Sequence, residues 1–214
     1  MQAGCSCAEL NLSTQGNDDR VGILAEHAPN CGCEQHTTSN YSSGVVQNDE
    51  TIVRMVCVPI HVHKKNPSLL PTFFNHAFTK GMSAQRLGIS APEELSQWVN
   101  AFLSADEERA WLGYVQAPCE EIRAILSDDS VSRAFCVYDA ALKETPGHVE
   151  VCASSRISAD ADRLEARSRL RKAFSDGKVL ARNTLKAGQV VAAVDNKLLQ
   201  RQLPSQWAQV NTPG

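Results

Sequence analysis

Hydrophobic and polar positions divide this chain into three zones. From Met1 to Gly44 the residues are rich in Ser, Thr, Asn, Gly, Gln and Cys, with few large apolar side chains and no sustained period. That pattern predicts a disordered or loosely attached tail over residues 1–44. Residues 45–195 carry the apolar runs and read as a single α+β domain: a small mixed sheet with packed helices. Residues 196–214 are polar, with Pro204, Trp207 and Pro213, and read as a C-terminal tail.

The most β-prone run is Thr51 to His63. Alternation puts Ile52, Arg54, Val56, Val58, Ile60 and Val62 on one face, and Val53, Met55, Cys57, Pro59, His61 and His63 on the other. Both faces are mainly apolar, so the strand is expected to be buried on both sides. Pro59 lacks an N–H and predicts an edge, a bulge or a break. Phe74 and Phe78, four apart, followed by Gly81, predict a short helix after Pro71. Residues 81–88 read as a turn-rich connector. Ser90 with Glu93 has capping-box spacing and opens a helix whose apolar face is Leu95, Trp98, Val99, Phe102 and Leu103. Trp111–Val115 reads as a strand, and Pro118 opens a short helix with Ile122, Ile125 and Leu126 inward. Ala134–Tyr138 and His148–Cys152 read as further strands. Ser158–Phe174 is a helix with a modest Leu and Ala stripe, and residues 178–194 read as two short strands around a turn.

Composition and charge change this picture in three ways. A net charge of -3 argues against nucleic-acid binding by bulk charge. No run approaches 18 apolar residues, so no membrane span is expected. The N-terminus has neither a basic nor an apolar leader region, so the eight cysteines of the chain are expected to be reduced thiols in a cytoplasmic protein.

Candidate chemistry lies in three places. Cys5-x-Cys7 and Cys31-x-Cys33, near His27 and His36, have a zinc-like count, although one intervening residue is tight for such pairs. His61 and His63 at one strand end, with His148, Glu150 and Cys152 alternating along another, form two half-sites. Their nitrogen, carboxylate and sulfur donors suit zinc if the strands meet. Arg163, Arg167 and Arg171 recur every four residues. Between Arg156 and Lys178 seven basic residues face four acidic ones, which suits an acidic protein partner or a phosphate-bearing ligand. Walker, G-x-G-x-x-G, G-x-S-x-G and H-E-x-x-H patterns are absent.

Ala181-Arg182, Leu185, Gly188 and Val190 form an A-R-x-x-L-x-x-G-x-V pattern, similar to a segment of small β-clip domains of the SAF type. Asn48-Asp49-Glu50 before a strand, Phe78 to Arg86 through Gly-Met-Ser, and Pro146-Gly147-His148-Val149-Glu150 before a basic helix resemble a loose family of short bacterial proteins. Neither resemblance implies an activity. The chain therefore reads as an accessory or interaction protein with a protein partner. A zinc-binding protein, with metal-dependent hydrolysis as one form of it, and a nucleic-acid-associated factor using the Arg-rich helix are the alternatives.

Overall fold

A computed structural model describes residues 6–37, 40–63, 66–155 and 160–174. Thr51–Val58 forms β1, a central strand buried on both faces as its doubly apolar pattern requires. Its end is set by Pro59, which follows a cis peptide bond and interrupts the ladder. β1 pairs on one side with β5 (Ala110–Pro118), with a register shift at Val56/Cys57. On its other side it pairs with β4 (Met82–Arg86). The sheet then continues through β7 (His148–Ala153) to β6 (Phe135–Asp139), giving the order β5-β1-β4-β7-β6. Every pairing is antiparallel, so the expected mixture of strand directions is replaced by a fully antiparallel sheet. β2 (Val62–His63) and β3 (Asn66–Leu69) form a separate two-stranded ribbon.

β4 occupies the stretch that reads in sequence as a connector. It has no run of large apolar residues, yet Met82, Ala84, Gln85 and Arg86 are all buried. Gly81 makes the entry with φ 88°, where a Cβ would stand 2.8 Å from a Glu150 carboxylate oxygen.

Helices cover both faces. On one face, Ile52 and Val56 join Phe73 and Phe74 of the 3-10 helix Pro71–Phe78, Ile122 of α4 (Cys119–Arg123) and Leu170 and Phe174 in and just after α5 (Asp160–Ala173). On the other face, Val53, Met55 and Cys57 meet Leu95, Val99 and Leu103 of α3 (Pro92–Ser104), together with Trp111 and Tyr114. Here α3 starts two residues later than the expected cap. The Ser90 hydroxyl donates inward to the Gln85 side chain at 2.9 Å, and the Glu94 carboxylate instead accepts from the Ala91 N–H at 3.1 Å.

The N-terminal segment departs most from expectation. Residues 6–37 are not a loose tail. They form α1 (Cys7–Thr14), α2 (Arg20–His27) and a 3-10 turn at Pro29–Cys31, and Leu10, Val21, Leu24, Cys31 and Cys33 enter the core. Two disulfides, Cys7–Cys33 and Cys31–Cys136, supply what the small apolar content does not. Each such bond typically contributes about 2–4 kcal/mol by restricting the unfolded chain. Four of the seven described cysteines are therefore bonded, and the expectation of free thiols holds for Cys57, Cys119 and Cys152. Among the described residues no helix is long and apolar enough to cross a membrane. Residues 178–194 and 196–214 lie outside the described residues.

Candidate functional site

The two half-sites imagined for zinc do not meet. β4 lies between β1 and β7, so their backbones are about 10 Å apart, two strand spacings. His148 also stands at the wrong end. It is opposite Gln85, which is opposite Val53 near the start of β1, whereas His61 follows the end of that strand. Among the described residues no group of three or more His, Cys, Asp or Glu side chains could hold a metal. The side chain of His63 lies outside them.

The four proposed ligands whose side chains are described are placed otherwise. His61 is buried between Phe73, edge-on at 4.8 Å, and Phe102, stacked at 5.8 Å. Its Nδ1 accepts the Cys57 N–H at 3.0 Å, while the His61 backbone N–H donates to the Cys57 carbonyl at 2.8 Å. Burial, with Arg54, His76 and Arg109 nearby, lowers the His61 pKa to about 3, so the ring is neutral. Burial likewise pushes the Cys57 thiol up to about 12. A neutral imidazole whose Nδ1 is engaged by a backbone amide, beside a protonated thiol, is not a nucleophile–base pair. His148 Nδ1 lies 3.0 Å from the Ala140 carbonyl. Glu150 is buried and ion-paired with Arg20 at 2.5 Å. Cys152 is fully buried, and burial raises its thiol well above the ordinary range. The N-terminal cysteines with zinc-like spacing are in disulfides, with Cys5 outside the described residues.

The structure reveals buried charge clusters that the sequence reading missed. Arg20 donates to the Asn11 carbonyl at 2.7 Å, to the Asn11 side chain and to Thr14, and pairs with Glu150. Glu34 accepts from Arg123, Arg133 and the Val137 N–H. Arg86 forks onto both Glu50 oxygens at 2.6 Å and lies 4.0 Å from Asp139. The available signal was a charge opening a short apolar run, as in Arg20-Val21-Gly22-Ile23-Leu24. A depression of about 360 Å³ is lined by Gln35, Asn48, Asp49, Arg123 and Arg133 among others. Glu34 and Asp49 balance its two guanidinium charges.

The arginine stripe has a different fate from the zinc ligands. Arg169 is spent on Glu165 at 2.5 Å, Asp128 at 3.7 Å and the Leu126 carbonyl. Arg167 and Arg171 line a groove of about 150 Å³ with Pro71, Phe74, Leu164 and Ser168. Phe74 is buried, whereas Leu164 is 60% exposed on the outside of α5. Arg163 stands one turn earlier on the same helix. An apolar lining edged by guanidinium groups can take an apolar side chain flanked by carboxylates. Comparison with family models, with curated proteins and with solved structures gives no match to this chain.

Proposed function

We propose that this chain is an interaction protein that docks an acidic, amphipathic segment of a protein partner along α5. One observation carries the reading: Leu164, 60% exposed, stands beside a small groove in which Arg167 and Arg171 flank Pro71 and Phe74. An exposed leucine on a basic helix offers apolar contact area, and guanidinium groups select carboxylates by forked hydrogen bonding. Two disulfides fit an oxidising compartment better than a cytosol. No catalytic set among the described residues supports an enzymatic reading.

A peptide-display selection on the full chain, followed by anisotropy titration of a labelled winner, tests this. The expected winners carry one or two large apolar residues between Asp and Glu. Leu164→Asp and Arg171→Glu should each weaken binding about tenfold or more, the loss of one central contact, with unchanged circular dichroism. Winners without acidic bias, or equal binding by both variants, would refute the proposal. Tight binding of single-stranded oligonucleotides with a steep salt dependence would favour the nucleic-acid alternative instead.

A further inference from the structure

The two disulfides meet at one short turn. Cys33 is bonded to Cys7, and Cys31 to Cys136, with Gly32 between the two bonded residues. The Gly32 N–H bonds to the Ala28 and Pro29 carbonyls at 3.3 and 3.2 Å, and the Glu34 N–H bonds to the Cys31 carbonyl at 3.0 Å. These bonds hold Cys31 and Cys33 on a single tight turn. The four sulfur-bearing residues differ in access. Cys7 is half-buried, whereas Cys33, Cys31 and Cys136 are 2%, 4% and 0% exposed. A reductant arriving from solvent therefore meets the Cys7 end first.

We propose that Cys31-Gly32-Cys33 is a thiol–disulfide exchange site that carries the electrons of an external dithiol from the accessible Cys7–Cys33 bond to the buried Cys31–Cys136 bond. The first thiolate of the dithiol attacks the Cys7 sulfur. A mixed disulfide forms on Cys7, the Cys7–Cys33 bond breaks, and Cys33 leaves as a thiolate. That thiolate attacks the Cys31 sulfur two residues away. The Cys31–Cys33 bond forms, the Cys31–Cys136 bond breaks, and Cys136 leaves as a thiolate that takes a proton. The second thiol of the dithiol then attacks its partner sulfur in the mixed disulfide and releases Cys7 as a thiol. One dithiol is oxidised to its disulfide, and the protein gains two electrons and two protons, held as the Cys7 and Cys136 thiols.

The exchange undoes the covalent tie between the N-terminal segment and the sheet, because Cys136 lies on β6. The segment is then held by the Arg20–Glu150 pair and by the contacts of Glu34. The released Cys136 stands directly across from Cys152 in the β6–β7 register.

The test uses the full chain, dithiothreitol as the dithiol, alkylation of free thiols and peptide mapping by mass spectrometry under native conditions. The expected intermediate is alkylated at Cys7 and Cys136 and bridged between Cys31 and Cys33. Cys33→Ser should open Cys31–Cys136 at least about tenfold more slowly, because an intramolecular attack is lost. The relay is overturned if Cys31–Cys136 survives until denaturant is added, or if Cys33→Ser opens it at the wild-type rate. Cys7→Ser gives an independent check without any reductant. It leaves Cys33 as a thiol in the folded protein, and alkylation should then trap Cys136 as well as Cys33. Alkylation of Cys33 alone would also overturn the relay.

Discussion

Replacing Arg20 by Met isolates one fully buried ion pair of the fold. Arg20 is fully buried, and its guanidinium lies 2.5 Å from Glu150, itself 5% exposed. The same guanidinium bonds to Asn11 and Thr14, so it joins α1 to β7 as well as pairing a charge. Methionine keeps much of the aliphatic stem but leaves the Glu150 carboxylate without its cation. Removing one partner of a buried pair typically costs about 3–5 kcal/mol, since an uncompensated charge is left behind. For a chain of this size that lowers the melting temperature by about 6–20 °C. Adding Glu150→Met removes the stranded charge, and the double variant should recover most of the loss, because a buried pair replaced by apolar groups is often near neutral. Urea unfolding with both disulfides intact measures all three proteins, and the slope with denaturant shows whether the folded states stay equally compact. A coupling energy of at least about 2 kcal/mol is expected between the two sites. A single variant within about 1 kcal/mol of wild type, or strictly additive losses, would show that water reaches the carboxylate and that the pair is not a structural anchor.

Three further outcomes follow from the packing. His61 has its pKa lowered to about 3 by burial. Below about pH 6.5 the unfolded chain therefore takes up a proton that the folded chain refuses, and the stability present above that pH drains as pH falls towards 3. Wild type should lose about 2 kcal/mol between pH 6.5 and 5 through this group. His61→Asn, which keeps an acceptor for the Cys57 N–H, should flatten that slope in urea titrations at several pH values, and an unchanged slope would place the proton uptake elsewhere. Gly147→Ala would put a Cβ 2.0 Å from the Ser90 hydroxyl and 3.1 Å from its backbone nitrogen. Thermal unfolding should report a loss of about 1–3 kcal/mol, partly restored by Ser90→Ala. Val56→Asp buries a charge at a fully covered position of β1 and should abolish folding as judged by circular dichroism. A cooperative transition near that of wild type would contradict the central place of this strand.

Local pattern was enough wherever one face or one residue type decides the outcome. The doubly apolar run at Thr51, the break at Pro59, the short helix at Pro118 and the basic helix near 160–173 all follow from alternation, helical period or a missing N–H. The α+β class follows from them. Tertiary structure decided what local pattern cannot carry. β4 is a strand because β1 and β7 offer it ladders on both sides, not because Met82–Arg86 is strongly β-prone. The His61 and Glu150 half-sites stay apart because strand order, which no two-residue spacing encodes, puts β4 between them. Arg20 and Glu34 look like surface charges in one dimension and become buried anchors once Glu150, Arg123 and Arg133 converge on them. The N-terminal segment is too poor in large apolar residues to fold on composition alone. The Cys31–Cys136 bond, which spans 105 residues of sequence, is one of its ties to the sheet, and a contact at that separation becomes visible when the sheet brings β6 beneath it.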